Sequence, residues 1–526
     1  MRKYLSIVLF FLFFQTGNLA SQDGYPRNPS VDITHYKFEL KISDNNDSLF
    51  GKTTISLKIK QSISQLTLDF QNVTENGQGM LVLGVEGKEG SLTFNHKGEK
   101  LVIDLSADPG EYQIGLSYKG VPKDGLIISE NKHGDRTFFC DNWPNRAHQY
   151  LPVIDHPYEK ATSEFIVTAP VKYQVISNGV QVEVVDLVNG MRRTAYRSYQ
   201  QLPTKVMVFG AARFAVRHCN ASDFTPVSAW VYPQEEQEGF SDYCSTTEIL
   251  SWFVKKIGPY PYYQLANVQS KTRYGGMENA GCIFYHENSI DGKNGSEGLF
   301  AHEIAHQWFG NSASEADWHH VWLSEGFATY LTEVYKQEVH SDAAFREGME
   351  RNRKRVLGYM SKFPNSSIID TTITNLNRLL NPCTYQKAAW FLHMLRNYVG
   401  DEAFWESVRS YYKTNEFGNS LTSEFMKHLE QASGESLTPF FNAWLYQPGV
   451  PEFQLSWKKN GSIKVEQVGK YFYPVKVRLT LKSKQGEDRF YDLKMIEPVW
   501  DSKIELDMAN VTKVILDADN DVLKGK

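Results

Sequence analysis

Residues 299–310 read Leu-Phe-Ala-His-Glu-Ile-Ala-His-Gln-Trp-Phe-Gly, and this stretch sets the expectations for both fold and chemistry. Its apolar residues recur at helical spacing, and Gly310 predicts the end of the helix. Residues four positions apart lie on one face of a helix, so His302 and His306 can reach one metal ion. Glu303 projects beside them. The pattern His-Glu-x-x-His on a helix therefore predicts a zinc site.

The third ligand of this site is expected from the following helix. A catalytic zinc ion takes three protein ligands and keeps a fourth position open for water. Glu325 lies on the first turn of the next predicted helix, for which Ser324 is the candidate N-cap. Apolar residues continue that helix at helical spacing: Phe327, Ala328, Leu331, Val334 and Tyr335. The sequence thus predicts one zinc ion per chain, held by His302, His306 and Glu325. Glu303 would act as the general base.

Composition limits the other function classes. The 526 residues are 41% hydrophobic and 13% aromatic and carry a net charge of −5 at pH 7. These values predict a multidomain globular protein rather than a disordered chain. The sequence holds no block of basic residues, so nucleic acid is not expected as a partner.

The first residues predict export. Arg2 and Lys3 precede an apolar run from Tyr4 to Phe14, and small residues follow up to Ala20. This is the layout of a signal peptide over residues 1–20. The run is about half as long as the roughly 20 apolar residues that a spanning helix needs, so no stable membrane anchor is expected. We expect a periplasmic or secreted protein.

Three changes of pattern along the chain predict three domains of a multidomain α+β protein. Residues 21–217 alternate apolar and polar side chains with the period of β-strands and predict an all-β domain. Residues 218–449 are mainly helical in pattern, and one helix face is expected to end at Gly400. Residues 450–526 alternate again and predict a small β-sandwich.

The cysteines are few for an exported chain. There are five, an odd number, and no C-x-x-C pair suggests a cysteine metal site. At most two disulfides can form. Cys219 and Cys244 enclose the shortest loop and are the preferred pair.

Further motifs flank the His-Glu-x-x-His stretch. Gly-Gly-Met-Glu-Asn lies upstream at 275–279, and Tyr-Gln-Lys-Ala lies downstream at 385–388. The first domain carries Leu-Pro-x-x-Asp-x-Pro at 151–157. In this order the motifs resemble the M1 family of zinc aminopeptidases, the gluzincin relatives of aminopeptidase N and leukotriene A4 hydrolase. The resemblance covers roughly residues 30–450. It departs from the family at Ala388, where glycine is usual, and in a first-domain stretch that is two residues longer.

The resemblance implies a fold and an activity. The first domain would be a saddle-like β domain, and the second a thermolysin-like mixed α/β catalytic domain. The activity would be that of a metalloprotease, a hydrolase that releases N-terminal amino acids from peptides with a free N-terminus by attack of a zinc-bound water. Tyr385 would donate its hydroxyl hydrogen to the oxyanion that forms in the reaction.

The same resemblance implies a substrate site. Glu278 would pair with the free α-ammonium group, so that only the first peptide bond reaches the zinc ion. Gly275 and Gly276 would let the substrate backbone approach an edge strand. A second amine contact would come from the first domain, at Asp141 or Asn142, with Asp141 preferred. The implied substrate-binding set is Gly275, Gly276, Met277, Glu278, Asn279 and Asp141.

Two departures from the family affect the surroundings of the site. Longer members add a large helical C-terminal domain that covers it, so here the site is expected to be more open or closed by another subunit. The oligomeric state stays open. Related enzymes place an acid four residues after the third ligand, but that position is Thr329. An acid that supports a zinc-ligating histidine is therefore expected elsewhere, with Asp317 as the candidate.

Two alternatives remain at this point. The same zinc site could cut internal peptide bonds or open an epoxide, as leukotriene A4 hydrolase relatives do. A non-catalytic scaffold is the other alternative, but the full set His302, Glu303, His306 and Glu325 argues against it. The sequence does not reveal which N-terminal residue is preferred.

Overall fold

The computed structural model describes residues 23–220, 224–484, 486–504 and 510–525. The predicted signal peptide at 1–20 lies outside the described residues. Within them, no helix has the length and apolar character required to cross a membrane.

The first domain consists of β-strands whose side chains alternate between the core and the surface. In β1 (Val31–Lys41), buried Ile33, Phe38 and Leu40 face the core at 0–2% exposure. The period-two pattern in the sequence therefore gives an all-β domain, as predicted. The other strands are β2 (Leu49–Ile59), β3 (Ile63–Asp69), β4 (Gly79–Gly87), β5 (Gly90–Ser91), β6 (Phe94–Lys97), β7 (Lys100–Ala107), β8 (Gly110–Val121), β9 (Leu126–Glu130), β10 (Arg136–Cys140), β11 (Lys160–Pro170), β12 (Gln174–Ser177), β13 (Val180–Asp186), β14 (Met191–Pro203) and β15 (Phe209–Ala212).

These strands form three sheets. The largest has the order β13-β14-β11-β1-β2-β8-β4-β5, in which β1 and β11 run parallel. The second has the order β12-β15-β10-β9, and the third the order β3-β7-β6. The second sheet brings the end of β10 and the residues after it toward the next domain, which places Asp141 at the domain junction.

The second domain is built on a five-stranded sheet with the order β16-β17-β18-β20-β19. Strands β17, β18 and β20 run parallel, and the short edge strand β19 is antiparallel to β20. The strand β16 pairs with this sheet, so the second sheet system begins at Ala215. The strands are β16 (Ala215–His218), β17 (Val227–Val231), β18 (Leu265–Ser270), β19 (Gly276–Met277), β20 (Cys282–His286), β21 (Ser314–Glu315) and β22 (Asn419–Ser420).

Helices pack on this sheet and carry the predicted metal ligands. Phe300 of helix α3 contacts the ring of Tyr285 in β20 with the ring centroids 4.9 Å apart. The prediction of a helix that ends at Gly400 is confirmed by α6. The helices are α1 (Glu236–Cys244), α2 (Thr246–Lys256), α3 (Glu297–Ala305), α4 (Trp322–Val339), α5 (Asp342–Met360), α6 (Ala388–Val399), α7 (Asp401–Asn415), α8 (Thr422–Ser433) and α9 (Thr438–Phe441).

Two predicted helix ends are wrong. Helix α3 ends at Ala305, not near Gly310, because the chain turns back from His306 onward and Gly310 donates its N–H to the carbonyl of Ala313. Gly310 has φ +117°, and a Cβ there would stand 2.1 Å from Ser324 Oγ. Ser324 is not an N-cap either, because α4 begins at Trp322 and includes it. Glycine is required where these two segments approach each other.

The third domain has two three-stranded sheets, as the β-sandwich prediction requires. Their orders are β23-β24-β27 and β26-β25-β28. Buried side chains such as Ile463 and Leu479 join the hydrophobic core of the second domain. The strands are β23 (Glu452–Trp457), β24 (Ser462–Val468), β25 (Val475–Ser483), β26 (Arg489–Met495), β27 (Val499–Lys503) and β28 (Val511–Leu516).

The cysteine pairing follows the shortest-loop prediction. Cys219 and Cys244 form a disulfide with a Cα–Cα distance of 5.4 Å. It ties the strand segment after β16 to the end of helix α1. The other cysteines, Cys140, Cys282 and Cys383, are buried thiols.

The junction of the first two domains contains a buried ion pair. Lys205 of the first domain and Glu315 of β21 are 1% or less exposed, and their charged groups are in hydrogen-bonding contact. The ammonium group of Lys205 also lies 5.4 Å from the ring centroid of Trp318. Two charges withdrawn from water in this way stabilise the fold only while both are present.

We predict that Lys205→Met destabilises the protein by about 3–5 kcal/mol, because it leaves the Glu315 carboxylate buried without its partner. The measurement is the midpoint of urea-induced unfolding. The double substitution Lys205→Met with Glu315→Leu should recover most of the loss, because it removes both charges.

The matched control is Arg192→Ala, which breaks the exposed pair with Asp186. It should change the unfolding free energy by no more than about 1 kcal/mol. A Lys205→Met variant with the midpoint of the unsubstituted protein would refute the role of the buried pair.

Candidate metal centre and active site

The structure brings the three predicted metal ligands together. The Nε2 atoms of His302 and His306 are 3.1 Å apart, and Glu325 Oε2 lies 3.5 Å and 3.3 Å from them. Within the described part of the chain, His302, His306 and Glu325 form a group whose ligand atoms are close enough together to hold a metal ion. Four-coordinate zinc with bonds of about 2.0–2.2 Å and tetrahedral angles places its ligand atoms about 3.3–3.6 Å apart, close to the distances observed here. The donor set and its spacing therefore fit a zinc ion.

The orientation of His306 is fixed from behind. Its Nδ1 lies 3.1 Å from the carbonyl oxygen of Phe309 and 3.0 Å from Ser324 Oγ. A carbonyl can only accept, so Nδ1 carries the ring hydrogen and Nε2 presents its lone pair to the metal position. For His306 this supporting role falls to Phe309 and Ser324 rather than to the predicted Asp317. Asp317 instead pairs with His319, at 3.3 Å.

Electrostatics favour a cation at this position. Burial lowers the pKa of His306, but the Glu325 carboxylate outweighs it and raises that pKa to about 9. Burial opposes ionisation of Glu325, yet the imidazole of His306, and then His302, hold the pKa of its carboxyl below the usual range. The site thus stabilises positive charge between the imidazoles and the carboxylate, where a dication would replace the proton.

Glu303 lies against the edge strand. Its side chain is 5% exposed, and a Cβ on Gly276 would stand 2.4 Å from Glu303 Oε1. Burial raises the pKa of the Glu303 carboxyl, and the nearby carboxylates of Glu278 and Glu325 add to that rise, whereas His306 opposes it. A carboxylate with raised basicity beside the metal position can accept a proton from water.

Glu278 follows strand β19. It is 5% exposed, and its Oε1 has no hydrogen-bond partner among the described residues. Burial raises the pKa of its carboxyl. Its backbone carbonyl, in contrast, accepts hydrogen bonds from the side-chain amides of Gln307 and Asn311. Neither residue has a role predicted from the sequence, although Gln307 directly follows the His-Glu-x-x-His motif and Asn311 comes shortly after it.

Tyr385 lies on a single π-helical turn, Cys383–Lys387, and not at a regular helix start. Its ring stacks on His302 with the centroids 6.1 Å apart and an interplanar angle of 13°. Burial, and then the Glu325 carboxylate, raise the pKa of the Tyr385 phenol well above its usual value. The hydroxyl therefore stays protonated and can donate a hydrogen bond beside the metal position.

The other predicted substrate residues lie around the same edge strand. Met277 and Asn279 are buried, whereas Gly275 is exposed and its carbonyl accepts from the N–H of His286. The two polar atoms of the Asn279 side chain have no partner within the described part of the chain. Gly276 must lack a side chain because its Cβ would overlap the Glu303 carboxylate, whereas a Cβ on Gly275 would only contact Leu299.

Asp141 lies at the junction of the first domain with the segment before β19. It is fully buried, and one carboxylate oxygen pairs with Arg146. The other oxygen accepts from the backbone N–H of Arg273 at 3.2 Å. Asn142, the alternative, donates to the carbonyls of Thr204 and Met207. A role of Asp141 in amine binding stays a prediction.

Comparisons with known proteins agree with this arrangement. Residues 33–206 match the model of the Peptidase M1 N-terminal domain, and residues 243–444 match the model of the Peptidase family M1 domain. The chain belongs to peptidase family M1.

Individual relatives are distant. Aminopeptidase 2 of Candida albicans is 23% identical over 87% of this chain and 53% of its own length. Glutamyl aminopeptidase of Rattus norvegicus is 23% identical over 82% of this chain and 48% of its own. The chain therefore spans about half the length of the curated relatives it matches.

The fold also resembles solved structures. An M1 zinc metallopeptidase from Deinococcus radiodurans superposes with a TM-score of 0.67 at 23% identity, over 80% of this chain and 95% of that one. A mutant of that enzyme gives a TM-score of 0.69 at 22% identity, over 82% and 98%. The fold is thus shared, over 82% of this chain, with 98% of that metallopeptidase chain.

We predict that Ser324→Ala weakens zinc binding about tenfold, because one of the two groups that orient His306 is lost. The measurement is competition between the metal-free protein and a chromophoric chelator. Ser407→Ala is the matched control, since Ser407 is also a buried helical serine, bonded to the carbonyls of Ala403 and His428. Equal zinc affinity in both variants would show that Phe309 alone orients the ring.

Proposed function

We propose that this protein is a zinc aminopeptidase that removes the first residue from peptides with a free N-terminus. The observation that carries the proposal is Glu278, a buried carboxylate whose Oε1 has no hydrogen-bond partner among the described residues and whose charge interacts with those of His306 and Glu325. A buried carboxylate that lacks a hydrogen-bond donor binds an ammonium group favourably, because the ammonium group supplies both the donor and the opposite charge.

The metal supplies one part of the chemistry. Zinc, when bound by His302, His306 and Glu325, polarises the scissile carbonyl group and makes the attacking water more acidic. Glu303 then accepts the proton of that water and later delivers it to the nitrogen of the departing amine. Its carboxylate packs against Gly276 of the edge strand, so it lies beside a substrate that binds along that strand.

Tyr385 stabilises the charge that develops during attack. The carbonyl oxygen becomes an oxyanion in the tetrahedral intermediate, and a preoriented hydroxyl donates a hydrogen bond to it. Stacking on His302 holds the phenol ring at the metal position. Its hydroxyl donates without losing its proton, because the pKa of the phenol is raised.

Strand β19 orients the substrate. It is the edge strand of the five-stranded sheet, so a bound peptide can extend the sheet by backbone hydrogen bonds. Glu278 directly follows this strand, where its carboxylate can pair with the α-ammonium group and leave no room for a preceding residue of the peptide. Binding of the ammonium group therefore places the first peptide bond at Glu303 and excludes internal bonds.

We also propose that the protein works outside the cytoplasm. The disulfide between Cys219 and Cys244 supports this location, because such bonds persist in oxidising compartments. The basic, apolar and small-residue order of residues 1–20 supports it independently.

We predict that the zinc-loaded protein hydrolyses an aminoacyl-naphthylamide at least about 100-fold faster than its N-acetylated form, because acetylation removes the charge that Glu278 binds. The measurement is kcat/KM for the two substrates. Glu278→Gln should reduce the difference in kcat/KM between the two substrates, mainly by raising the KM for the aminoacyl-naphthylamide with a free amine.

Equal cleavage of both substrates by the unsubstituted protein would contradict the exopeptidase proposal and favour an endopeptidase. Hydrolysis of an epoxide, without cleavage of either naphthylamide, would favour an epoxide hydrolase that uses the same zinc site. A set of aminoacyl substrates would then define the preferred first residue.

We predict that Glu303→Gln retains zinc and lowers kcat by about 10²–10⁴-fold, because the amide cannot accept the proton of water. Zinc content and kcat are measured on the same preparation. Glu297→Gln is the matched control on the same helix, where Glu297 bonds Tyr335 and His340 away from the site. Near-normal turnover in Glu303→Gln would refute its role as the base.

A further inference from the structure

The position of Glu278 is set through its backbone rather than through its carboxylate. Its carbonyl oxygen accepts from Gln307 Nε2 at 2.8 Å and from Asn311 Nδ2 at 2.5 Å. Both donors are 0% exposed. Two amide donors on one buried carbonyl hold that peptide group more firmly than one ordinary backbone bond does.

Gln307 also closes the turn that carries Glu278. Its Oε1 accepts from the N–H of Gly281 at 2.8 Å, and its Nε2 lies 3.3 Å from the carbonyl of Glu303. Within the turn, the N–H of Asn279 bonds the carbonyl of Met277 at 2.9 Å. A single side chain thus connects both sides of the turn to the helix that carries the base.

Both amides originate directly behind the metal ligands. Gln307 is the residue after His306, and Asn311 follows in the turn that also contains Phe309, whose carbonyl orients His306. The distance from Glu278 to the metal position therefore depends on two short side chains within one rigid segment.

We propose that Gln307 and Asn311, together termed the amide clamp, are positioning residues that fix the distance between Glu278 and the metal ligands. This distance decides which peptide bond reaches Glu303 when the substrate ammonium is bound. The clamp thereby limits cleavage to a single residue at a time. The proposal rests on the proposed aminopeptidase function.

The physical consequence of loosening the clamp is specific. Gln307→Met keeps the length and burial of the side chain. It removes the amide nitrogen that donates to the carbonyls of Glu278 and Glu303, and the amide oxygen that accepts from the N–H of Gly281. Glu278 can then shift, and a displacement of about 1 Å is enough to cost about 10²-fold in a reaction that depends on orientation. The metal ligands themselves lose no partner.

The test measures amine recognition separately from turnover. The zinc-loaded protein is titrated calorimetrically with an amino-acid hydroxamate and with its N-acetylated form. The Kd of the acetylated form divided by the Kd of the free amine reports the amine contact. We expect Gln307→Met to lower this ratio at least about tenfold, with zinc affinity unchanged. In kinetics, KM for the aminoacyl-naphthylamide should rise more than kcat falls.

Two further variants keep the test decisive. Asn311→Ala removes the other donor, whereas the backbone carbonyl of Asn311 keeps its contact with Lys160. Gln269→Met is the matched control, because Gln269 is also 0% exposed and bonds Tyr232, Glu235 and Glu287 away from the site. The control should keep the ratio of the unsubstituted protein, and folding of all three is checked by circular dichroism.

The outcomes separate the two proposals. If the unsubstituted protein binds both hydroxamates equally, the aminopeptidase function itself fails. If it discriminates and both clamp variants discriminate equally well, the clamp proposal is overturned and the proposed function stands. Loss of zinc affinity with an unchanged Kd ratio would also overturn it, because the two amides would then support the metal site instead.

Discussion

Three glutamates that are 4–5% exposed share one site, and this concentration of negative charge determines which cations the site must bind. Glu278, Glu303 and Glu325 cannot all ionise in a buried site without compensating cations. A zinc ion between the imidazoles and Glu325 would supply two of the compensating charges. Under the proposed function, the third comes from the substrate ammonium group at Glu278. Binding of a free N-terminus would then complete the charge balance of the three carboxylates.

The first domain takes part in holding this arrangement. Lys160 extends from its strand β11 and donates to the carbonyls of Asn311, Ser312 and Gly418, at 3.2, 2.7 and 2.6 Å. Those carbonyls belong to segments that lie directly behind the metal ligands. Together with the pair of Lys205 and Glu315, this ammonium group fixes the loop that carries Asn311. The active site is thus built by one domain and held in place by its neighbour.

The local part of the site could be predicted from the sequence, and the long-range part could not. His302, Glu303 and His306 follow from helical spacing alone, and the strand-rich and helical regions follow from the periods of their apolar residues. Ser324 was expected to cap a helix, but it supports His306, because that contact needs the close approach of α4 at Gly310. The π-helical turn of Tyr385 likewise depends on packing between distant segments.

The charge balance also bears on Asp141. Its carboxylate pairs with Arg146, so the two side chains together are neutral. A neutral pair adds no net attraction for an ammonium group, and it leaves the balance of three carboxylates against zinc and one amine unchanged. Its second oxygen accepts from the N–H of Arg273, which begins the segment leading to Gly275 and Gly276. Asp141 thereby connects the segment before the edge strand to the first domain. Under the proposed function, the charge that pairs with the substrate amine is that of Glu278.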